Sequence, residues 1–98
     1  MNLSSATLQF SAIFRTQVGS RLRCARAAIG KTQDELAAHL GIARQTLGSY
    51  EKGESEPLAS ILKKMCNDFS IDPAWLLLGD DTRPMFAICG APPKQRAA

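Results

Sequence analysis

Residues 32–53 read TQDELAAHLGIARQTLGSYEKG, and this stretch decides the fold of the chain. Thr32 and Glu35 have the spacing of a capping box, in which the threonine oxygen accepts from the glutamate amide and the glutamate side chain reaches back, so a short helix begins here. Gly41 ends that helix, because glycine tolerates the left-handed backbone found just past helix C-termini. A second short helix is predicted over 43–52, and the glycine that closes the quoted stretch ends it.

Three residues inside this stretch have the separations that a helix-turn-helix requires. Ala37 is small where two helices must cross closely, and Gly41 lies at the turn, where a side chain would clash. Leu47 faces back and wedges the helices apart, which sets them at roughly 90–120° across a short turn. The stretch is therefore predicted to fold as a helix-turn-helix.

Apolar residues also recur at the i, i+3, i+4 spacing of a helix on the N-terminal side of this stretch. They are Phe10, Ile13, Phe14, Val18 and Leu22. The pattern predicts one long helix over 11–28, or two helices joined near Gly19. Gly30 then ends the helical segment.

Two further helices are predicted on the C-terminal side. Pro57 suits the first position of a helix, and the residues that follow it carry the strongest apolar stripe in the chain. That stripe consists of Leu58, Ile61, Leu62, Met65, Cys66 and Phe69. Asp72 before Pro73 combines a capping carboxylate with a proline at the first helical position, which predicts a brief helix that ends at Gly79. Helices up to about residue 79 predict an all-α fold with five helices.

The composition is that of one globular domain. The chain has 98 residues, of which 45% are hydrophobic and 21% charged, and its net charge of +3 favours a polyanionic partner only slightly. The three cysteines are widely spaced without a Cys-x-x-Cys pair, so neither a disulfide framework nor a zinc site is indicated. No segment resembles a membrane span or a secretory signal, so a cytoplasmic protein is expected. Residues 81–98 are predicted to form a flexible tail, in which only 85–89 could form a short strand.

The chain from Arg21 to Asp80 resembles the helix-turn-helix family of the phage repressors and Cro proteins. The motifs that carry the resemblance are an RLRxxR-like start, the TQxELA core that begins at Thr32, the YEKG sequence that closes the quoted stretch, and the terminal DPAWLLLGD. The resemblance implies a compact five-helix domain like that of the lambda repressor over 15–80. An extension over 1–14, partly helical, precedes it.

The resemblance implies which residues read DNA. In this family the second helix of the motif, the recognition helix, lies in the major groove with its N-terminal side chains on base edges. Carried onto this sequence, the base readers are Arg44, Gln45 and Ser49. Arginine can pair with guanine and glutamine with adenine, and each such contact is worth about 1–3 kcal/mol of discrimination.

The resemblance also implies residues that hold the DNA backbone and the domain itself. Gln33 matches the glutamine that clamps a phosphate in the family, Thr46 lies near the backbone or a thymine methyl group, and Lys52 holds a second phosphate. These contacts would fix register rather than sequence. Arg26 and Glu51 match an ion pair that ties the first helix to the recognition helix.

Two residues depart from the family pattern in the predicted recognition helix. Ala43 stands where the family usually has a Ser or Thr cap, which costs about 1 kcal/mol of helix stability. Gly48, inside the helix, adds a penalty of about 1 kcal/mol. This helix is therefore expected to be ordered mainly by the packing of Leu47 and Tyr50, and by DNA.

The segment before Arg15 is longer than the family core needs. Its residues Leu8, Phe10, Ile13 and Phe14 are too apolar to remain in water. They are expected to pack on a partner subunit or back on their own domain.

These observations together predict a small transcriptional regulator that binds double-stranded DNA sequence-specifically. We expect a repressor that binds a near-palindromic operator as a homodimer, because a two-fold axis places two recognition helices about 34 Å apart on one face of the duplex. The alternative is a protein-protein adaptor, antitoxin or coactivator built on the same fold. No catalytic set or phosphate loop is recognisable and the lone His39 is expected to be solvated, so no enzyme activity, cofactor, metal, membrane or small-molecule ligand is predicted.

Overall fold

Five helices follow one another in the computed structural model, which describes residues 5–86 of the protein. They are α1 (Ser5–Ala28), α2 (Gln33–Leu40), α3 (Arg44–Lys52), α4 (Ala59–Phe69) and α5 (Pro73–Leu76). Within these residues the β pairing is limited to one isolated antiparallel bridge between Ile71 and Phe86. The predicted all-α fold is therefore confirmed. None of the described helices has both the length and the apolar character that crossing a membrane requires.

The first helix, α1, is continuous, so the unbroken helix is the correct one of the two predicted alternatives. It begins at Ser5 rather than at Ser11, because residues 5–14 contain no proline or glycine that would stop it. Gly19 does not interrupt α1 but is buried against α3. A β-carbon at this position would overlap the backbone carbonyl oxygen of Tyr50, so glycine lets the two helix backbones approach each other.

Local signals set both predicted ends of α2 and the predicted start of α5. The Thr32 hydroxyl accepts from the Glu35 amide (3.1 Å), while the Glu35 carboxylate accepts from the Thr32 amide (2.9 Å) and its pKa is thereby lowered. Gly41 follows α2 with a φ of 74°. Asp72 caps α5 by accepting from two amides of its first turn. The capping box and the aspartate cap are therefore confirmed.

Two other helix ends differ from the prediction. Pro57 is not the first helical residue, because Leu58 has an extended backbone and α4 begins at Ala59. Pro57 is buried, so packing in the loop fixes its position and overrides the preference of proline for helix starts. The last helix, α5, ends at Leu76, and the left-handed Gly79 lies in the turn beyond it.

One hydrophobic core joins residues from all five helices. Its fully buried members include Val18, Leu22, Leu36, Leu47, Met65 and Leu76. The predicted stripe on α1 enters the core from Val18 onward, and Phe14 packs against its edge. Phe10 and Ile13 stay outside it, with 70% and 55% of their surface exposed. The core therefore holds α2 and α3 against the C-terminal half of α1 and leaves the N-terminal half uncovered.

Residues 80–86, where the predicted tail starts, contact the domain. Arg83 donates two hydrogen bonds to the Asp72 carboxylate (2.7 and 3.1 Å), and the Met85 carbonyl accepts from the Asp72 amide (2.8 Å). Asp72 is buried, and its pKa is lowered chiefly because Arg83 donates to the carboxylate. The rest of the predicted tail and of the possible strand at 85–89 lies outside the described residues.

Candidate nucleic-acid interface

The turn between α2 and α3 contains the features that predicted a helix-turn-helix. Ala37 and Leu47 are both buried in the same core cluster. The Gly41 amide donates to the carbonyl oxygens of Ala37 and Ala38. The space around Gly41 is open, however, so the expected clash of a side chain is wrong, and glycine is needed for the left-handed φ of 74° alone.

The predicted recognition helix, α3, has one face that the described chain leaves uncovered. Leu47, Tyr50 and Glu51 are buried. At about 100° per residue, the opposite side of the helix carries three polar side chains. These are Gln45, Ser49 and Lys52, of which Gln45 and Lys52 are exposed and Ser49 is half-buried. Two predicted base readers therefore share a face with a predicted phosphate contact, and the half-buried Thr46 lies beside them.

Arg26 on α1 and Glu51 on α3, the pair implied by the family resemblance, are in contact. Arg26 Nε and Nη2 donate to the two carboxylate oxygens of Glu51, at 2.7 and 3.1 Å. The Glu51 side chain is 3% exposed and that of Arg26 19%, and the hydrogen bonds to Glu51 raise the pKa of Arg26. Arg26 Nη1 also donates to the Lys31 carbonyl (3.1 Å), which binds the loop before α2 to the same guanidinium group.

Gln33, the predicted phosphate clamp at the start of α2, extends this ion pair to the predicted base reader Arg44. Its Nε2 donates to Glu51 Oε1 (3.0 Å), and its Oε1 accepts from Arg44 Nη1 (3.3 Å). We call this chain of hydrogen bonds, from Arg26 through Glu51 and Gln33 to Arg44, the interhelical network. It connects α1, α2 and α3, and it therefore fixes how α3 is oriented on the domain.

Asp34 is a residue of this surface that sequence reasoning did not identify. Its Oδ1 lies 3.5 Å from Nε of Arg44, and the two side chains are 81% and 54% exposed. The two residues are on different helices and meet only because the turn folds α3 back on α2, so no local pattern marks the pair. A group that binds Arg44 through Nε competes with this carboxylate.

The structure shows different surroundings for the two departures from the family pattern. Ala43 is the N-cap of α3 and makes no side-chain capping bond. A β-carbon added to Gly48 would meet only Gln33 Nε2, at 4.0 Å. The fold itself therefore does not require glycine at position 48.

We expect Gly48→Ala to raise the free energy of unfolding by about 0.5–1 kcal/mol, because alanine is the better helix former and the site is open. Urea denaturation followed by circular dichroism measures the change. Gly41→Ala is the control of opposite sign, since the left-handed backbone there costs an alanine about 1–2 kcal/mol. A loss of stability in Gly48→Ala would contradict the open site.

His39 lies at the protein surface, where its ring packs near Phe69 and its Nε2 lies 2.8 Å from Asp68 Oδ2. Lys64 Nζ contacts the same carboxylate at 3.0 Å, and the hydrogen bonds from Lys64 and His39 lower the pKa of Asp68. Within residues 5–86, no group of three His, Cys, Asp or Glu side chains could hold a metal ion. This surface cluster is therefore a hydrogen-bonded contact between α2 and α4, beside an ion pair within α4.

Comparison with known proteins identifies one matching family and several similar proteins. Residues 22–76 match the family described as Helix-turn-helix. The SPbeta prophage-derived uncharacterized HTH-type transcriptional regulator YonR of Bacillus subtilis is 39% identical over 61 residues, which are 62% of this chain and 56% of that protein. The HTH-type transcriptional regulator DicA of Escherichia coli is 32% identical over 66 residues, 67% of this chain and 49% of DicA. An uncharacterized HTH-type transcriptional regulator of Archaeoglobus fulgidus is 36% identical over 62 residues, 63% of this chain and 89% of that protein.

The chain thus spans about half the length of YonR and DicA. No solved structure matches it. These relatives are named as transcriptional regulators and not as enzymes, in agreement with the prediction from the sequence. The matched family covers more than half of the chain, so the resemblance to the phage-repressor type of helix-turn-helix is confirmed. The chain belongs to the helix-turn-helix family.

Proposed function

We propose that this chain binds double-stranded DNA sequence-specifically through the uncovered face of α3 and thereby regulates transcription. The observation that carries the proposal is the polar face of α3, which the described chain does not cover and which the interhelical network holds in one orientation. A helix of nine residues is roughly 13 Å long, and a helix fits a major groove about 12 Å wide. The names of the relatives support the regulatory role.

Arg44, Gln45 and Ser49 are the proposed base readers. Arg44 would pair with O6 and N7 of guanine and Gln45 with N6 and N7 of adenine, each for about 1–3 kcal/mol of discrimination. Ser49 lies one helical turn beyond Gln45 on the uncovered face of α3 and would contact a further base. Pairing of Arg44 with guanine competes only with a solvent-exposed ion pair to Asp34, which is weak.

Gln33, Thr46 and Lys52 are the proposed contacts to the DNA backbone. The amide nitrogen of Gln33 carries two hydrogens and donates one to Glu51, which leaves the other for a phosphate oxygen. The exposed Lys52 ammonium supplies a charge, and Thr46 a hydroxyl, beside the base-reading face. These contacts would fix the register of α3, and the charge of Lys52 makes the affinity fall with rising salt concentration.

The proposed form of the regulator is a homodimer that represses from a near-palindromic operator. One α3 helix reads only a few base pairs, whereas two copies related by a two-fold axis present two such helices about 34 Å apart. A dimer bound across a promoter blocks polymerase by occupying the same DNA. The inverted repeat of the operator would then mirror the symmetry of the protein.

Selection of bound duplexes from a random DNA library tests this function. We expect enrichment of an inverted repeat whose affinity decreases steeply with salt. Arg44→Ala should weaken binding to the selected site by about 5–150-fold and relax the preference at one position of each half-site. Gln45→Ala should relax a different position.

Lys63→Ala on α4 is the matched control, because it removes the same charge from an exposed position away from α3. This variant should select the same sequence as the wild type. An unchanged preference in Arg44→Ala, or the absence of any enriched sequence from the wild-type selection, would contradict the proposal.

The adaptor alternative has one specific observation in its favour, the apolar side chains exposed outside α3. Phe10 and Leu78 are 70% and 76% exposed, and exposed apolar groups of this size often mark protein contacts. The same substitutions separate the two functions. An adaptor would retain its protein partner in the Arg44→Ala and Gln45→Ala variants and would select no DNA sequence.

A further inference from the structure

An apolar surface lies where the N-terminal half of α1 passes the end of α5. It is formed by Phe10, Ile13 and Phe14 from α1 and by Leu77 and Leu78 from the chain after α5, around a depression of about 250 Å³. We call it the α1–α5 surface. Phe10, Ile13 and Leu78 are 70%, 55% and 76% exposed, and only Phe14 packs against the core. The described part of the domain therefore does not cover this surface.

From this surface we infer that a second copy of the chain docks here, with the α1–α5 surfaces of two protomers packed about a two-fold axis. The inference rests on the homodimer of the proposed function and assigns its interface. The N-terminal half of α1, residues 5–14 (SATLQFSAIF), has no charged side chain. Two copies can therefore bring these residues together without like-charge repulsion.

The rim of the surface carries charges of both signs. Arg21 borders the depression, and its Nη2 lies 3.3 Å from Asp81 Oδ1. The Asp81 side chain is 82% exposed, so it is accessible to a second molecule. A two-fold contact that sets the rim of one protomer against the rim of the other would allow Arg21 to pair with Asp81 of the partner subunit. The rim is thus complementary to its own copy.

The size of the surface is at the lower limit for a dimer. Its side chains expose on the order of 500 Å², within the range of apolar patches that mark interaction sites. Two such patches in complete contact would bury about 1,000 Å² in total, which corresponds to a weak dimer rather than to the roughly 1,200–2,000 Å² of a stable one.

The location of the surface is compatible with DNA binding by α3. Thr16, at the C-terminal edge of the uncovered half of α1, lies against Gly53, the residue that follows α3. The residues that line the α1–α5 surface include none from α2 or α3. A contact through this surface therefore uses none of the side chains proposed to contact DNA.

Sedimentation equilibrium of the full chain without DNA tests the interface. We expect the wild type to dimerise and Phe10→Glu to weaken self-association by at least about tenfold, because a carboxylate would replace an aromatic ring at its centre. Leu8→Glu is the matched control. This substitution places the same charge on the same helix, at an apolar residue that is 54% exposed and points to the opposite side from Phe10. The Leu8→Glu protein should therefore remain a dimer.

Leu78→Glu probes the same surface from outside α1, so a folding defect specific to α1 cannot account for its effect. A monomeric wild type, or dimers that persist in both Phe10→Glu and Leu78→Glu, would overturn the inference. A wild type that is monomeric while the chain shortened to 1–86 dimerises would show that residues 87–98 occupy the surface, which also overturns it. A wild type that dimerises but selects no DNA sequence would reject the proposed DNA binding and leave the interface standing. A monomeric wild type that selects a half-site would support DNA binding and overturn the interface.

Discussion

Replacing Gly19 with alanine is expected to destabilise the protein by about 3 kcal/mol or more, although alanine is the better helix former. The new β-carbon would overlap the carbonyl oxygen of Tyr50 and lie 3.1 Å from that of Glu51. Both are backbone atoms of α3 that cannot rotate away as a side chain would. Relief therefore requires α1 and α3 to separate along their buried contact, which also pulls apart the two helices that the interhelical network connects.

The free energy of unfolding from urea denaturation measures this effect, with Gly48→Ala as its control. Both substitutions change glycine to alanine inside a helix, so helix propensity alone predicts that each gains about 1 kcal/mol. We expect stability changes of opposite sign, and these arise only from the tertiary surroundings. Backbone atoms of α3 lie against Gly19, whereas the space around Gly48 is open. Equal stability gains in the two variants would show that the two helices do not approach as closely as the structure places them.

Helix ends governed by local chemistry could be predicted from the sequence. The capping box at Thr32, the left-handed Gly41 and the cap at Asp72 each involve residues only a few positions apart, and all three are present. The same local rules predict a helix start at Pro57 and a possible helix junction at Gly19, and the structure shows neither. The roles of these two residues depend on burial against residues distant in the chain, which a local pattern does not contain.

The same distinction holds for the candidate site. The helical period indicates that Gln45 and Ser49 lie opposite the buried side of α3, so the outward face could be predicted. The contact between Asp34 and Arg44 could not, because it depends on the angle between α2 and α3. Whether Phe10 packs on its own domain or on a partner subunit also depends on where α1 lies. The sequence therefore leaves both alternatives open.

Breaking the ion pair of the interhelical network is the second change with a large expected effect. Arg26→Met should lower the free energy of unfolding by about 3 kcal/mol, because it leaves the Glu51 carboxylate, 3% exposed, without its cation. The remaining hydrogen bond from Gln33 stabilises the Glu51 carboxylate less than the two charge-assisted hydrogen bonds from the guanidinium group do. Arg23→Met, on the exposed side of the same helix, is the control and should change stability by less than about 0.5 kcal/mol.

The double variant Arg26→Met, Glu51→Met separates what the pair does for stability from what it does for the site. We expect it to regain most of the stability lost in Arg26→Met, because no buried charge remains unpaired. Gln33 Nε2, however, would lose its acceptor on α3, so its side chain would no longer be held between Glu51 and Arg44. Binding to the selected DNA should therefore stay weaker than in the wild type even where folding has recovered. If the double variant is as unstable as Arg26→Met, the loss arises from packing of the Arg26 stem and not from the stranded carboxylate.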